Sequence, residues 1–253
     1  MNQILVTKKL YITPELKKKR KAYKVYFFLS LFLICILVSI FAYTEIDRTK
    51  GEEASSQLLD NFNKDTEETE LENRKQVLVA VLDGNNDGST SNDTSATLGA
   101  NAQKNINKNK KEKNQEGYTY SKIASINIPK INVQYTILEG TTGTLQETES
   151  LIKMSPAKFW GPEPNQVGNF CIVGHNYRNT KFFSKVPNLT NGDVIEITDS
   201  TGKTLKYSVY NKYEVDPSDI SCLDQDTNGQ KEVTLITCTN DSKLRVIVKA
   251  KAI

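Results

Sequence analysis

The sequence predicts an all-β domain of seven or eight short strands over residues 118–253, a closed barrel or a sandwich, set behind a single apolar helix. Three observations carry this. Short apolar and β-branched runs recur from Tyr118 onward, each bounded by Gly, Pro, Asn or Asp. Before them, residues 83–117 are rich in Asn, Gly, Ser, Thr and Lys and hold no aromatic residue, so they offer little for a core. Further back, residues 25–44 (VYFFLSLFLICILVSIFAYT) run for twenty residues without a charge, enough to cross about 30 Å of hydrocarbon as a helix.

Taken in order, residues 1–24 are a short basic segment with Lys8, Lys9, Lys17, Lys18, Lys19, Arg20, Lys21 and Lys24. Residues 25–44 are the transmembrane anchor. Glu45, Asp47, Glu52 and Glu53 follow it, with Arg48 and Lys50 among them. Lys and Arg favour the cytoplasmic side, which puts residues 1–24 in the cytoplasm and the rest of the chain outside, in a single-pass topology. Tyr23, Tyr26 and Tyr43 suit the two interfaces. A cleaved signal peptide is the competing reading, but the apolar run is longer than usual and no small-x-small site follows it. Residues 45–117 read as an extracytoplasmic stalk, largely disordered. Within it Leu58, Leu59 and Phe62 line one short amphipathic helix, and residues 76–82 form an isolated apolar patch.

Inside the domain, Lys122–Ile128 and Ile131–Leu138 read as strands broken at Pro129. Thr144 and Glu147 form a capping box that opens a short helix carrying Leu145 and Ile152. Phe170–Val173 is a short apolar strand. Asp193–Thr198 and Thr204–Val215 pair across a Gly202 turn, Asp216–Gln230 is a loop, and Glu232–Cys238 with Leu244–Ala250 closes the domain as a hairpin.

A formal net charge of +3, gathered in local clumps, argues against a nucleic-acid binder. The four cysteines show no CxxC pair and no Cys/His cluster, so no structural metal and no cofactor are expected. Asp216, Asp219, Asp224 and Asp226 are the loop acids through which calcium would modulate the domain. Setting Cys35 aside in the apolar run, three cysteines remain, an odd number, which points to a reactive thiol.

Cys238 ends an apolar strand and is followed by polar Thr239-Asn-Asp-Ser242, so it sits at the rim. A four-residue loop there pairs Cys238 with Lys243 and Ile236 with Arg245. Ile236, Cys238, Lys243 and Arg245 then share one face, and Leu235, Thr237, Leu244, Val246 and Val248 the other, apolar one. A guanidinium beside a thiol favours the thiolate and can hold an oxyanion. His175, the one histidine of the chain, follows a strand and Gly174 at the mouth of a loop.

Ile126-Asn-Ile-Pro-Lys-Ile131, Val173-Gly-His-Asn176 and Thr234-Leu-Ile-Thr-Cys238 with Arg245 downstream resemble the sortases, and the resemblance covers roughly Tyr118–Ile253. It implies an eight-stranded β-barrel in a membrane-anchored cysteine transpeptidase of Gram-positive bacteria. Such an enzyme cleaves a C-terminal sorting signal of LPXTG type and joins the protein to an amine of the cell wall or of a pilin. By the same resemblance Cys238 is the nucleophile, His175 the acid/base and Arg245 the oxyanion and substrate group. Thr237, Ile236 and Asn176 are substrate contacts. The 63 residues between His175 and Cys238 leave little room for a class B insertion, and no class C lid motif precedes the barrel, so class A or D is expected. An L,D-transpeptidase would carry a Ser-x-Gly-Cys motif, whereas the chain has Ile236-Thr-Cys-Thr239. The reading from another class is a non-catalytic stalked module for adhesion or assembly.

Overall fold

The computed structural model describes residues 14–83 and 111–253. The chain divides into two compact units, Met1–Lys50 and Gly51–Ile253. In the first lies the apolar stretch Lys18–Ile46 of helix α1 (Pro14–Asp83), the one helix among the described residues long and apolar enough to cross a membrane. Its large side chains, Phe27, Phe28, Phe32 and Phe41 among them, are exposed.

The second unit is built on strands β1 (Glu112–Lys113), β2 (Thr119–Ile128), β3 (Val133–Gly140), β4 (Ala157–Trp160), β5 (Gly168–Val173), β6 (Val194–Asp199), β7 (Thr204–Val215), β8 (Lys231–Cys238) and β9 (Arg245–Ala252), with helix α2 (Leu145–Ile152) between β3 and β4. The order β2-β3-β4-β5-β8-β9-β7-β6 closes on itself through β2–β6, an eight-stranded mixed barrel, while β1 adds a short rung to β2. Of the two open possibilities, the barrel is therefore the one formed. Two pairings, β3–β4 and β5–β8, are parallel. Pro129 ends β2 in a 3-10 turn, and Asn132 at φ 57° takes the left-handed conformation that restarts the chain as β3.

Alternation decides what faces where. Val233 and Leu235 of β8 and Phe170 and Ile172 of β5 fill the barrel with Ile126, Ile137, Phe183, Leu189, Ile195 and Val248. Cys171 and Ile236 point outward, into a separate small cluster with Cys222 and Ile247. Buried Tyr207 donates its hydroxyl to Asn165 Oδ1 at 3.0 Å, so the interior leaves that polar group satisfied.

Two expectations need correction, and strand β4 went unassigned in the sequence. The domain does not begin at Tyr118, because Glu112 and Lys113 already pair with Tyr120 and Thr119. Most of all, the stretch 45–83 of the expected stalk is helix, and part of it packs on the barrel. Ser55, Leu58 and Phe62 are buried, one face of a helix by their spacing. Leu58 joins Tyr120, Leu138, Leu151, Ile152 and Ala157 in one apolar cluster. Ser55 Oγ lies 3.4 Å from Ser155 Oγ, and Asp65 lies 3.5 Å from Lys122 Nζ, which also meets Glu112 at 3.1 Å. The physical reason is that β2, β3, α2 and β4 leave an apolar patch outside the barrel, and this helix covers it. The tether expected over residues 84–110 lies outside the described residues.

One half of the expected capping box forms, the Thr144 cap, while the Glu147 carboxylate reaches past Thr144 N to the loop before it. Thr144 Oγ1 accepts from Glu147 N at 3.3 Å, and the Glu147 carboxylate accepts from Thr141 N, Thr142 N, Thr142 Oγ1 and Gly143 N at 2.9–3.0 Å. A Cβ at residue 140 would overlap that carboxyl group, which is why Gly140 ends β3. Burial pushes the Glu147 carboxyl up, but the hydrogen bonds from Thr142, Gly143 and Thr141 outweigh it and hold it below the usual carboxylate value. The stability it contributes is present above the unfolded carboxyl value and lost as pH falls through the lower folded one. Glu147→Gln, which sets an amide donor against backbone donors, is expected to cost about 2 kcal/mol at neutral pH. It is also expected to flatten the acid limb of a melting-temperature profile. An unchanged limb would assign the acid loss to other groups.

Candidate active site

The site grows out of the outward faces of three neighbouring strands. In the hairpin β8–β9, Cys238 pairs with Arg245 and Ile236 with Ile247. The loop between them is six residues long rather than four, which moves the register by two from the sequence reading. Thr239 and Asp241 account for the difference. Thr239 Oγ1 donates to Asp241 Oδ1 at 2.6 Å, Leu244 N donates to Thr239 Oγ1 at 3.1 Å, and Thr239 N donates to Leu244 O at 3.0 Å. A slip of two preserves the faces, so Cys238 and Arg245 still lie on one side, now directly opposite each other. Arg245 Nη1 donates to Cys238 Sγ at 3.2 Å. The contact puts a cation on the sulfur, where it stabilises negative charge as it develops. Cys238 is half-buried. Leu244, expected on the core face, is in the loop instead.

His175 arrives from the other side. Strands β5 and β8 run parallel, with Val173 opposite Ile236. Gly174 N donates to Ile236 O at 3.1 Å, so the pairing runs past the end of β5. Two residues further along in that register come His175 and Cys238. Thr237 Oγ1 donates to Gly174 O at 2.9 Å. Asn176 Nδ2 donates to Cys238 O at 2.9 Å and to Asn240 Oδ1 at 3.0 Å, and His175 O accepts from Phe183 N at 3.0 Å. A side chain at Gly174 would strike the buried Phe183 ring, which explains the glycine before the histidine. The His175 ring packs on Tyr177 with centroids 4.9 Å apart. Burial holds the imidazole below its usual value, the Lys153 ammonium adds to this, and Glu149 opposes it. Burial and the ammonium both favour the neutral imidazole over the charged one.

The expected substrate contacts fall differently. Asn176 stitches the histidine loop to the strand of Cys238. Thr237 is buried on the inner face with its proton given to Gly174 O, so its side chain holds the loop. Ile236 is buried beneath the connection between β7 and β8. Thr237→Val keeps the shape and removes the clamp. It is expected to lower kcat for the chemistry by roughly tenfold with KM nearly unchanged, and to leave the barrel folded. A loss confined to KM would move Thr237 to substrate binding. The sequence reading passed over Tyr177, which packs on the His175 ring, and Asn169 and Gln225, which fasten the connection between β7 and β8. Outward parity with Cys171 was the one signal for Asn169.

A cavity of about 700 Å³ is lined by Leu145, Phe159, Trp160, Ile220 and Leu223. Trp160 pairs with Cys171 of β5, the strand that leads to His175. Among the described residues no cluster of three His, Cys, Asp or Glu could hold a metal ion. The loop acids Asp216, Asp219, Asp224 and Asp226 each accept a backbone N–H within their own connection.

The chain matches the Sortase domain family over residues 126–253, just over half its length. Among solved structures it is similar to the sortase D5 transpeptidase of Clostridium perfringens, at 38% identity over 53% of this chain and 79% of that one, with a TM-score of 0.45. It is similar to a lid mutant of sortase A from Corynebacterium diphtheriae, at 32% identity over 53% and 71%, TM-score 0.44. Sortase C-1 of Actinomyces oris follows at 28% identity over 51% and 71%, TM-score 0.45. No curated protein matches it. Since the matched residues take in the barrel from the last three residues of β2 to the end of β9, with the histidine, the thiol and the guanidinium all inside them, the chain belongs to the sortase family.

Proposed function

We propose that this sortase is a cysteine transpeptidase in which Cys238, His175 and Arg245 act as one unit on an LPXTG-like C-terminal sorting signal. The observation that carries the reading is the Arg245–Cys238 hydrogen bond of 3.2 Å, with the His175 loop tied into register beside it. Cys238 Sγ attacks the carbonyl carbon of the Thr–Gly bond as its proton passes to His175. The Arg245 guanidinium, hydrogen-bonded to the sulfur that attacks, holds the oxyanion. His175 then protonates the departing amine, the C–N bond breaks, and a thioester remains. An incoming amine attacks the thioester, gives its proton to His175 and restores the thiol. Two easier steps thus replace one difficult amide exchange.

The apolar part of the signal lies in the cavity of Leu145, Phe159, Trp160, Ile220 and Leu223, and the β7–β8 connection tunes which signal fits. The acceptor is an amine of a peptidoglycan precursor or of a pilin. Residues 25–44 hold the domain on the outer face of the membrane, by the Lys and Arg bias of residues 1–24. The short span from His175 to Cys238 supports class A or D. The experiment is a panel of sorting-signal peptides with and without an amine nucleophile. A thioester on Cys238 by mass and an amine-dependent product support the reading. Peptide binding with no cleavage and no adduct would leave the non-catalytic module instead.

A further inference from the structure

Cys171 and Cys222 are thiols that the sortase chemistry leaves unused, and both are buried. Cys171 points outward from β5. Cys222 sits in the 3-10 turn Ser221–Leu223 of the β7–β8 connection, which is laid over that same outward face. Asn169 fastens it there. Its Nδ2 donates to Cys222 O at 2.9 Å and to Asp224 O at 3.0 Å, while its backbone exchanges two hydrogen bonds with the Gln225 side chain. Thr234 Oγ1 in turn donates to Asn169 Oδ1 at 2.6 Å and fixes the pin from below. Cys171 is the next outward residue after Asn169 on the strand, about 7 Å on. The backbone of Cys222 and the thiol of Cys171 therefore occupy consecutive outward places, and both side chains belong to one small cluster with Ile236 and Ile247.

We infer that Cys171 and Cys222 form a dithiol–disulfide pair which, when oxidised, bolts the β7–β8 connection to the sheet. Burial pushes the Cys171 thiol up to about 12, with Cys222 adding to it, and pushes the Cys222 thiol up as well, so the closed reduced form is inert. Reaction starts when the connection opens or before it has closed. The Cys222 thiolate attacks one sulfur of a low-molecular-weight disulfide and expels one thiolate. Cys171 then attacks the Cys222 sulfur of the mixed disulfide and expels the second. The cysteine pair loses two electrons to the oxidant, and the two protons end on the two thiols released. Cys238, on another strand and beside Arg245, keeps its thiol. A consequence for substrate choice rests on the groove reading above, since Ile220 and Leu223 belong to both the connection and the cavity.

The test uses the full chain in detergent, equilibrated with oxidised glutathione, trapped with N-ethylmaleimide and digested without reduction. The expected result is a peptide joining Cys171 to Cys222, lighter by two hydrogen atoms, with Cys35 and Cys238 alkylated. Protease cutting within residues 216–230 should slow by roughly tenfold or more against the dithiothreitol-treated chain. That difference should vanish in Cys222→Ala and Cys171→Ala. Alkylation at all four cysteines, glutathione retained on Cys222, or a link from either thiol to Cys238 would each overturn the inference. The crosslink is read by mass and needs no turnover. A chain that forms the crosslink on oxidation yet cleaves no sorting-signal peptide when reduced would therefore count against the transpeptidase reading alone.

Discussion

Cys238→Ala is expected to abolish both peptide cleavage and thioester formation, a fall of roughly 10³-fold or more, in a barrel that stays folded. The side chain is half-buried at a strand end, so its loss opens no core cavity. His175→Ala should nearly match it, because the chain has no second histidine to stand in. Arg245→Ala should cost roughly 10²- to 10³-fold through the oxyanion. Arg245→Lys should rescue poorly, since the cross-strand register places one guanidinium nitrogen 3.2 Å from the sulfur and an ammonium on a different stem cannot present two donors from that place. Double variants should lose little beyond the worst single one, as members of a unit do. Cys171→Ala and Cys222→Ala under reducing conditions should retain turnover. If either kills activity in a folded protein while Cys238→Ala keeps it, the nucleophile is misassigned. The checks are steady-state kinetics, intact mass after peptide, and circular dichroism.

The second large effect concerns the helix before the barrel. A chain starting at Gly51 should melt well above one starting at Lys111. Removal of Leu58 and Phe62 forfeits about 1.5–3 kcal/mol for each buried side chain and bares Tyr120, Leu138, Leu151 and Ile152 to water. A net loss of about 4 kcal/mol lowers the melting temperature by roughly 10 °C in a unit of this size. The same cluster touches Met154 and Val173, two residues before His175. The shorter chain should therefore also lose turnover. Equal melting temperatures for the two chains would show that the helix rests on the barrel without holding it. The double substitution Leu58→Ala with Phe62→Ala separates lost packing from lost chain length.

What the sequence disclosed follows from which signals are local. Period-two alternation set the faces of β8 and β9, and since a register slip of two leaves faces unchanged, Cys238 and Arg245 were correctly put on one side even with the wrong partners. The Thr144 cap is a four-residue pattern and was legible, whereas the turn of residues 141–143 gathered on the Glu147 carboxylate was not. The turn after Cys238 was not, because Thr239 and Asp241 lengthen it through side-chain hydrogen bonds that mimic backbone ones. Strand β4 holds only four residues, two of them large and exposed, and has no alternation to find. The 58–62 spacing announced an amphipathic helix. That it docks depended on an apolar patch assembled from β2, β3, α2 and β4, which no local window contains.

The parallel pairing of β5 with β8 has a consequence in time. Gly174 and Thr237 are 63 positions apart, and the chain between them holds β6 and β7. Contacts of such long sequence separation are made late, because loop closure is opposed by entropy until the intervening sheet is in place. His175 is synthesised well before Cys238 and Arg245, yet it stands in no working arrangement until the last pairs of the ring have closed. A partly folded chain carries an exposed thiol with no base beside it and no guanidinium across from it. Competence in transpeptidation thus reports completion of the barrel. In a refolding experiment it should appear in the slowest phase, after the fluorescence of Trp160 has settled.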